Sequence, residues 1–263
     1  MARLDAEIVS RGIARSRTRA KEMIQSGSVS VNGKTVTKAS AEVSADDELI
    51  SSEEEKYVGR GALKLEKAAD EFGIDFTGKV CIDIGASTGG FTEVMLMRGA
   101  SKVYAVDVGH GQLAEKLCAD SRVVNMEGTD IRRVTPEMTG GQADFVSADV
   151  SFISLKMILP SIYSLLREGA CAAVLIKPQF EAGKRDIGKN GIVRDAKVHE
   201  RVLRETDQAI NSAGFIAERY TVSPVKGGSG NIEYLVKLVK KQGTPVIHDL
   251  GELVRSSFRS FKE

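Results

Sequence analysis

The glycine-rich segment 83–91 has the residue types and spacing of a turn that holds a nucleotide-like ligand. It follows the apolar run 80–82 and precedes a helical pattern, and a doubly wound sheet presents such a ligand to a helix N-terminus in this way. Ser87 stands where the Gly-x-Gly-x-x-Gly pattern of pyrophosphate binders has glycine. Asp83 would repel a pyrophosphate but can balance a cationic amino-acid group. The segment therefore favours S-adenosylmethionine over NAD, with a tight strand-to-helix connection as the alternative.

Polar side chains stand at the ends of the strands predicted after this turn. Asp107 ends the second strand, where a carboxylate can accept both hydroxyls of a ribose, and Asp130 follows the third, within reach of an adenine amino group. Asp149 and Lys177 end the fourth and fifth strands. Because the carboxyl ends of parallel strands meet at one edge, the four should share a cleft. For each Asp alone a helix cap is the alternative, and for Lys177 a structural ion pair with Asp149. The predicted cofactor-binding residues are Asp83, Gly85, Ala86, Ser87, Thr88, Gly89, Gly90, Phe91, Asp107 and Asp130.

Strand and helix patterns alternate along most of the chain. Strands are predicted at 80–83, 102–107, 123–126, 143–148, 172–177, 216–222 and 232–238. Helical patterns are found at 62–72, 91–97, 111–118, 154–166 and 197–213. This alternation predicts an α/β fold with a Rossmann-like, mostly parallel sheet. The last two strands have no helix between them and should form an antiparallel edge hairpin, an ending that is common in methyltransferase sheets.

Residues 1–50 are predicted to form a separate, small α+β domain. Ser16 can cap a helix that stops at Gly27, and Asn32-Gly33 predicts a β-hairpin. One face of the helix is basic, with Arg17, Arg19 and Lys21. A basic helix beside a hairpin suits RNA phosphates, and a solvated helix face is the alternative. The acidic stretch 46–55 is interpreted as a linker.

Composition narrows the class of protein. A chain of 263 residues suffices for a medium domain and a small one, and the net charge of +1 indicates no particular partner. The three cysteines are far apart in sequence and are expected to be buried and reduced, which fits the cytoplasm. No early apolar segment has the pattern of a signal peptide, and no apolar run approaches the ~18 residues of a membrane span. We expect neither a metal nor a membrane partner.

Taken together, the motifs resemble the TlyA family, in which an S4-type RNA-binding domain precedes an FtsJ-like methyltransferase domain. The resemblance covers nearly the whole chain. It rests on Arg3-Leu4-Asp5, Ser16-Arg17, Val31-Asn32-Gly33 and segments 57–65, 83–91, 105–109, 148–155, 175–181 and 230–234. It implies an S4-type domain at 1–50, a linker at 51–60, a methyltransferase domain at 61–245 and a C-terminal helix or tail at 246–263.

The resemblance also implies a function: S-adenosylmethionine-dependent methyl transfer to a ribose 2′-hydroxyl of ribosomal RNA, in a ribosomal subunit. The expected target is a cytidine of the large-subunit rRNA, and the small-subunit rRNA remains open. The implied RNA contacts are Arg3, Arg15, Arg17, Arg19, Lys21, Lys34, Arg60, Lys184 and Arg185. A secreted or membrane-active hemolysin and a catalytically silent ribosome assembly factor are the alternative functions.

The family's catalytic tetrad, Lys-Asp-Lys-Glu, falls on Lys64, Asp149, Lys177 and Glu233. In this scheme Lys177 removes the proton of the 2′-hydroxyl, Asp149 orients Lys177, and Glu233 steers Lys64. The presence of all four residues argues against a silent domain. The sequence leaves open whether burial or the charge of Asp149 dominates the basicity of Lys177.

Overall fold

The computed structural model describes residues 1–14, 16–52 and 56–261. They form two compact units, Met1–Lys56 and Tyr57–Glu263, called here the N-terminal and C-terminal units. Two expectations from the sequence fall outside the described residues: the RNA contact of Arg15 and the part of the acidic linker at Glu53, Glu54 and Glu55.

The described residues of the N-terminal unit form two helices and five short strands. In chain order these are β1 (Ala2–Arg3), α1 (Leu4–Ser10), α2 (Arg17–Gln25), β2 (Val29–Val31), β3 (Lys34–Thr35), β4 (Glu42–Val43) and β5 (Leu49–Ser51). The side chain of Ser16 accepts a hydrogen bond from the Arg19 N–H and so caps α2, as expected. Asn32 and Gly33 both have positive φ, which suits the tight turn between β2 and β3. The expectation of a capped helix followed by a hairpin is confirmed.

The first part of the acidic stretch is not a linker. β5 pairs antiparallel with β2 and completes a three-stranded sheet, with Val31 opposite Leu49. Leu49 also packs against the small core of this unit. The sequence did not predict β5 because a strand of three residues is too short to show the alternation of apolar and polar side chains. Only one of its side chains, that of Leu49, packs against the core of this unit.

The C-terminal unit contains a seven-stranded sheet with helices on both faces. Its helices are α3 (Ala62–Phe72), α4 (Gly90–Met97), α5 (Glu115–Cys118), α6 (Leu159–Leu165), α7 (Pro178–Glu181), α8 (Ala196–Ser212) and α9 (Leu250–Ser260). Its strands are β6 (Val80–Ile84), β7 (Lys102–Asp107), β8 (Val123–Glu127), β9 (Ala143–Ala148), β10 (Leu166–Ile176), β11 (Ile216–Val222) and β12 (Tyr234–Val239).

The strand order is β11-β12-β10-β9-β6-β7-β8, and the five strands β6 to β10 run parallel. β12 is antiparallel to both of its neighbours, and only β11 of the final hairpin lies at the edge. The predicted Rossmann-like sheet with an antiparallel end is therefore confirmed. The helical pattern 111–118 forms a helix only at Glu115–Cys118, and 154–166 divides into a 3₁₀ turn and α6 because Pro160 suits a helix start.

Apolar residues cover both faces of the sheet, as is usual when parallel strands are buried on two sides. Ile82 and Val146 face the core under α6, α8 and α9, while Cys81 and Phe145 face the core under α3 and α4. Neighbouring residues of one strand thus supply two separate cores. This packing fixes the ends of β6, β7, β9 and β10 at one edge of the sheet.

Candidate active site

A pocket of about 400 Å³ opens at the carboxyl ends of the parallel strands. Four of the predicted cofactor-binding residues line it: Gly85, Ser87, Asp107 and Asp130. The other six predicted cofactor-binding residues do not line it: Asp83, Ala86, Thr88, Gly89, Gly90 and Phe91. The ends of β6, β7, β8 and β9 supply this pocket. Of the four strand-end residues that the sequence predicts to share a cleft, Asp107, Asp130 and Asp149 line it; Lys177 does not line it and contacts Asp149 from the end of β10.

The turn after β6 can pass close to the end of β9 because Gly85 has no side chain. Its φ is +78°, and a Cβ at this position would lie 2.6 Å from the backbone oxygen of Asp149. Ser87 also has a positive φ, +47°, which is uncommon for a residue with a Cβ and is often found at functional sites. The end of β6 is therefore held closely against the end of β9.

Asp107 is anchored by the backbone around it. One carboxylate oxygen accepts from the Ser87 N–H at 2.9 Å, and the other accepts from the Gly109 N–H at 2.8 Å. A carboxylate held at both oxygens keeps a fixed orientation at the pocket wall, and each oxygen retains lone pairs for a further donor.

Asp83 is buried and contacts protein groups. Its oxygens accept from the Thr92 N–H at 2.9 Å, the Thr92 hydroxyl at 2.7 Å and the Ser147 hydroxyl at 2.9 Å. Burial raises the pKa of Asp83 to about 6 against the effect of these hydrogen bonds. The structure therefore shows Asp83 bracing the first turn of α4; a charge contact with a ligand stays a prediction.

Asp130 caps the 3₁₀ turn Ile131–Arg133, which is the alternative role that the sequence left open. It also lines the pocket. Its side chain accepts from the Arg132 N–H and pairs with the Arg132 guanidinium, which lowers the pKa of Asp130 to about 2.

The four tetrad residues meet beside the pocket. Lys64 Nζ lies 3.1 Å from Asp149 Oδ2 and 2.7 Å from Glu233 Oε2, and Lys177 Nζ lies 2.5 Å from Asp149 Oδ1. Lys64 lies in the first turn of α3, Asp149 directly after β9, Lys177 directly after β10, and Glu233 directly before β12. The expected contact between Lys177 and Asp149 is thus present.

Charges alternate along this cluster, in the order Lys177, Asp149, Lys64 and Glu233, so that its formal net charge is zero. No more than 17% of any of the four side chains is exposed. Burial lowers the pKa of Lys64, but the charges of Asp149 and Glu233 outweigh burial and leave it raised. Burial likewise raises the pKa of Asp149, but Lys64 and Lys177 outweigh it and leave it lowered. Both groups are therefore held in their charged forms.

Two residues at this site were not singled out from the sequence. The Ser151 hydroxyl accepts a hydrogen bond from Lys177 Nζ at 3.0 Å, and Ser151 lines the pocket. Phe152 is 92% exposed, has a φ of +63°, and lies with its ring centroid 5.1 Å from that of Phe180. Both lie in motif 148–155, but an exposed aromatic ring on a strained backbone has no sequence signal of its own.

The basic residues of the N-terminal unit have unequal surroundings. Arg3 and Arg17 both pair with the buried carboxylate of Asp5, each at 3.0 Å, and the hydrogen bonds from Arg3 above all lower its pKa to about 2. About half of each arginine side chain remains exposed. Lys21 and Lys34 are exposed. Asp5 is therefore a structural partner of two residues that were predicted to contact RNA.

The remaining basic residues predicted to contact RNA lie in both units. Arg19 lies 3.7 Å from Glu22 within α2. In the C-terminal unit, Arg60 is exposed just before α3. Lys184 and Arg185 are exposed in a 3₁₀ turn after α7.

Two features of the described residues bear on the type of protein. Among residues 1–14, 16–52 and 56–261, no helix has both the length and the apolar character needed to span a bilayer. The same residues contain no group of three or more His, Cys, Asp or Glu side chains that could hold a metal ion.

Comparison with known proteins agrees with this geometry. The FtsJ-like methyltransferase model matches residues 57–240, and the S4 domain model matches residues 2–49. The 16S/23S rRNA (cytidine-2′-O)-methyltransferase TlyA of Mycobacterium tuberculosis is 44% identical over 239 residues, which are 90% of this chain and 89% of that protein. Hemolysin A of Brachyspira hyodysenteriae is 44% identical over 238 residues, 90% of this chain and 99% of that protein.

A solved structure gives the same result over the full length. The structure of a candidate hemolysin from Streptococcus thermophilus matches with a TM-score of 0.78 at 41% identity, and the match covers 99% of this chain and 97% of that one. The matches over both units, at this level of identity, show that the chain belongs to the TlyA family, with an S4 domain followed by an FtsJ-like methyltransferase domain.

Proposed function

We propose that this protein transfers a methyl group from S-adenosylmethionine to the ribose 2′-hydroxyl of a cytidine in ribosomal RNA. The observation that carries the proposal is that the pocket and the tetrad share a residue. Asp149 lines the pocket and also bridges Lys64 and Lys177. A donor in the pocket would therefore lie next to the group that has to activate the acceptor.

The residues of the pocket fit S-adenosylmethionine. A volume of about 400 Å³ is in the range of small-molecule sites, roughly 300–1,000 Å³. Asp107 would accept the ribose hydroxyls, Asp130 would face the adenine, and the turn at Gly85 and Ser87 would pass close to the amino-acid part. When bound, this group supplies an electrophilic methyl on a sulfonium.

The tetrad supplies the remaining chemistry. A ribose 2′-hydroxyl is a poor nucleophile until its proton is removed, and Lys177 is the group placed to accept that proton. With Lys177 in the neutral form that can accept a proton, the cluster has a formal charge of −1, which a cationic donor in the pocket would offset. Asp149 fixes Lys177, and Lys64 with Glu233 fixes Asp149, so that the acceptor and the methyl group can be held in line.

The S4 domain and the name of the mycobacterial relative support ribosomal RNA as the substrate. That relative is described as acting on both 16S and 23S rRNA. For this chain we propose a cytidine of the large-subunit rRNA as the main target, and the small-subunit rRNA is tested beside it. The exposed basic side chains, among them Lys21 and Lys34, would contact phosphates.

The test is to map ribose 2′-O-methyl groups on both rRNAs from cells with and without this protein. The expected result is one or two cytidines whose methylation depends on the protein. Purified protein, S-adenosylmethionine and unmodified ribosomal subunits should reproduce the modification. Donor binding without methyl transfer to any rRNA, or lysis of erythrocytes by protein that transfers no methyl group, would contradict the proposal.

A further inference from the structure

Ser151 is the second side chain that holds the nitrogen of Lys177. Its hydroxyl oxygen lies 3.0 Å from Lys177 Nζ, and Asp149 Oδ1 lies 2.5 Å from the same nitrogen. Ser151 and Asp149 are two residues apart in the turn after β9, and both line the pocket. One short turn thus presents a charged oxygen and a hydroxyl to a single amine.

The amine of a lysine has three directions available for hydrogens or a lone pair. Ser151 accepts a hydrogen bond along one of them, and the ion pair with Asp149 Oδ1 constrains the amine from a second side. With Asp149 alone, the last torsions of the lysine stem could turn about a single contact, because lysine is a flexible chain that ends in a point charge. The second acceptor removes that freedom and so determines where the reactive direction points.

The backbone of the turn supports this interpretation. Phe152, directly after Ser151, has a φ of +63°, a conformation that residues with a Cβ rarely adopt. In this conformation the two preceding polar side chains, Asp149 and Ser151, converge on Lys177.

We propose that Ser151 is a positioning residue for methyl transfer, which acts by aiming Lys177 Nζ at the acceptor hydroxyl. The proposal rests on the proposed function, in which Lys177 faces that hydroxyl. Ser151 belongs to neither the predicted tetrad nor the predicted cofactor contacts.

The test compares Ser151→Ala, Ser151→Thr and the control Ser121→Ala, which changes an exposed serine in the turn before β8. Ser151→Ala should lower kcat on ribosomal subunits by about ten- to hundredfold, since small misplacements of a reacting group have effects of this size. The KM for the subunit and the Kd for S-adenosylmethionine should change by less than about twofold. Ser151→Thr keeps the hydroxyl and should recover most of the lost rate, and Ser121→Ala should match the parent.

Three results would overturn the role of Ser151. The first is the parental kcat in Ser151→Ala, and the second is a loss of donor affinity that accounts for the whole decrease in rate. The third is an equal loss of rate in the Ala and Thr variants while both keep the parental melting temperature. A parent protein that methylates no ribosomal RNA would instead refute the proposed function, and this inference with it.

Discussion

Lys64 and Glu233, separated by 169 positions in sequence, form an ion pair of 2.7 Å at the centre of the site. Lys64 comes from the helix that precedes the sheet, and Glu233 directly precedes β12, the inner strand of the final hairpin. The Glu233 side chain is 2% exposed, and its other oxygen lies 3.4 Å from Gln179 Nε2. The pair ties the first helix of the C-terminal unit to its last strand, so that it should contribute to stability as well as to function.

Glu233→Ala should therefore destabilise the C-terminal unit and reduce turnover. The substitution leaves Lys64 buried with Asp149 as its remaining partner, and breaking a buried pair costs roughly 3–5 kcal/mol, towards the lower end here because one partner stays. Urea unfolding measures the loss, with Glu252→Ala on the exposed side of α9 as the control. The unfolding free energy of Glu233→Gln, which keeps the shape and one acceptor, should lie between those of the parent and the Ala variant. Parental stability in Glu233→Ala would show that the pair contributes nothing net.

Lys177→Ala should abolish methyl transfer while donor and RNA binding persist. Proton transfer by a positioned base typically contributes about 10²–10⁴-fold, so kcat should fall by at least this amount. Lys177→Arg should be nearly as slow, because a guanidinium keeps the charge but does not release a proton near neutral pH. Single-turnover rates on ribosomal subunits provide the measurement, and Lys241→Arg, at the opposite edge of the sheet, is the control. Substantial turnover by Lys177→Arg would reject the base assignment and leave a charge role for Lys177.

The sequence predicts the sheet and the strand ends well because both depend on local patterns. Asp107, Asp149 and Lys177 each follow an apolar run, and the geometry of parallel strands brings such positions together. Contacts that depend on tertiary packing could not be predicted from the sequence. Asp83 satisfies the motif, yet its oxygens turn away from the pocket towards Thr92 and Ser147, and no spacing rule shows which way a buried carboxylate faces.

The same limit applies to the N-terminal unit. Arg3 and Arg17 have the pattern of phosphate ligands, but Asp5 lies within reach of both. The placement of Lys64 and Glu233 came from the family resemblance, since neither residue stands at the carboxyl end of a strand.

Asp107→Ala should weaken S-adenosylmethionine binding by roughly 1–3 kcal/mol, through the loss of charge-assisted hydrogen bonds. Part of the loss would come from the freed N–H groups of Ser87 and Gly109, which Asp107 now holds. Isothermal calorimetry with the donor measures the change, and Asp120→Ala, paired with Arg122 outside the pocket, is the control. Unchanged donor affinity would remove Asp107 from the cofactor site.

Arg17→Ala should weaken RNA binding and destabilise the N-terminal unit, because it removes one of the two partners of the buried Asp5. The slope of log affinity against log salt should fall by up to about 1 for a lost phosphate contact. Lys21→Ala is the matched comparison, since Lys21 is exposed on the same helix: it should reduce the salt slope alone. Filter binding to rRNA fragments and thermal unfolding separate the two effects. If Arg17→Ala lowers stability but leaves the salt slope unchanged, Arg17 is structural and contacts no phosphate.

Asp83 should make the protein less stable as the pH rises from about 4 to about 6. Burial raises the pKa of Asp83 to about 6 in the folded state, against 3.8 as the ordinary value. The folded state therefore binds the proton more tightly, and the stability that this group contributes is fully present below about pH 4 and lost by about pH 6, roughly 3 kcal/mol in all.

Asp83→Asn keeps the shape and does not titrate, so the stability difference between variant and parent should grow over this interval and level off above it. Carboxylates with lowered pKa values, such as Asp5 and Asp130, have the opposite effect: the stability that they contribute is lost as the pH falls. They are present in both proteins, so their effect cancels when variant and parent are compared. Melting temperatures of the two proteins from pH 4 to pH 7.5 provide the data, and two parallel curves would mean that Asp83 is ionised in the folded protein throughout.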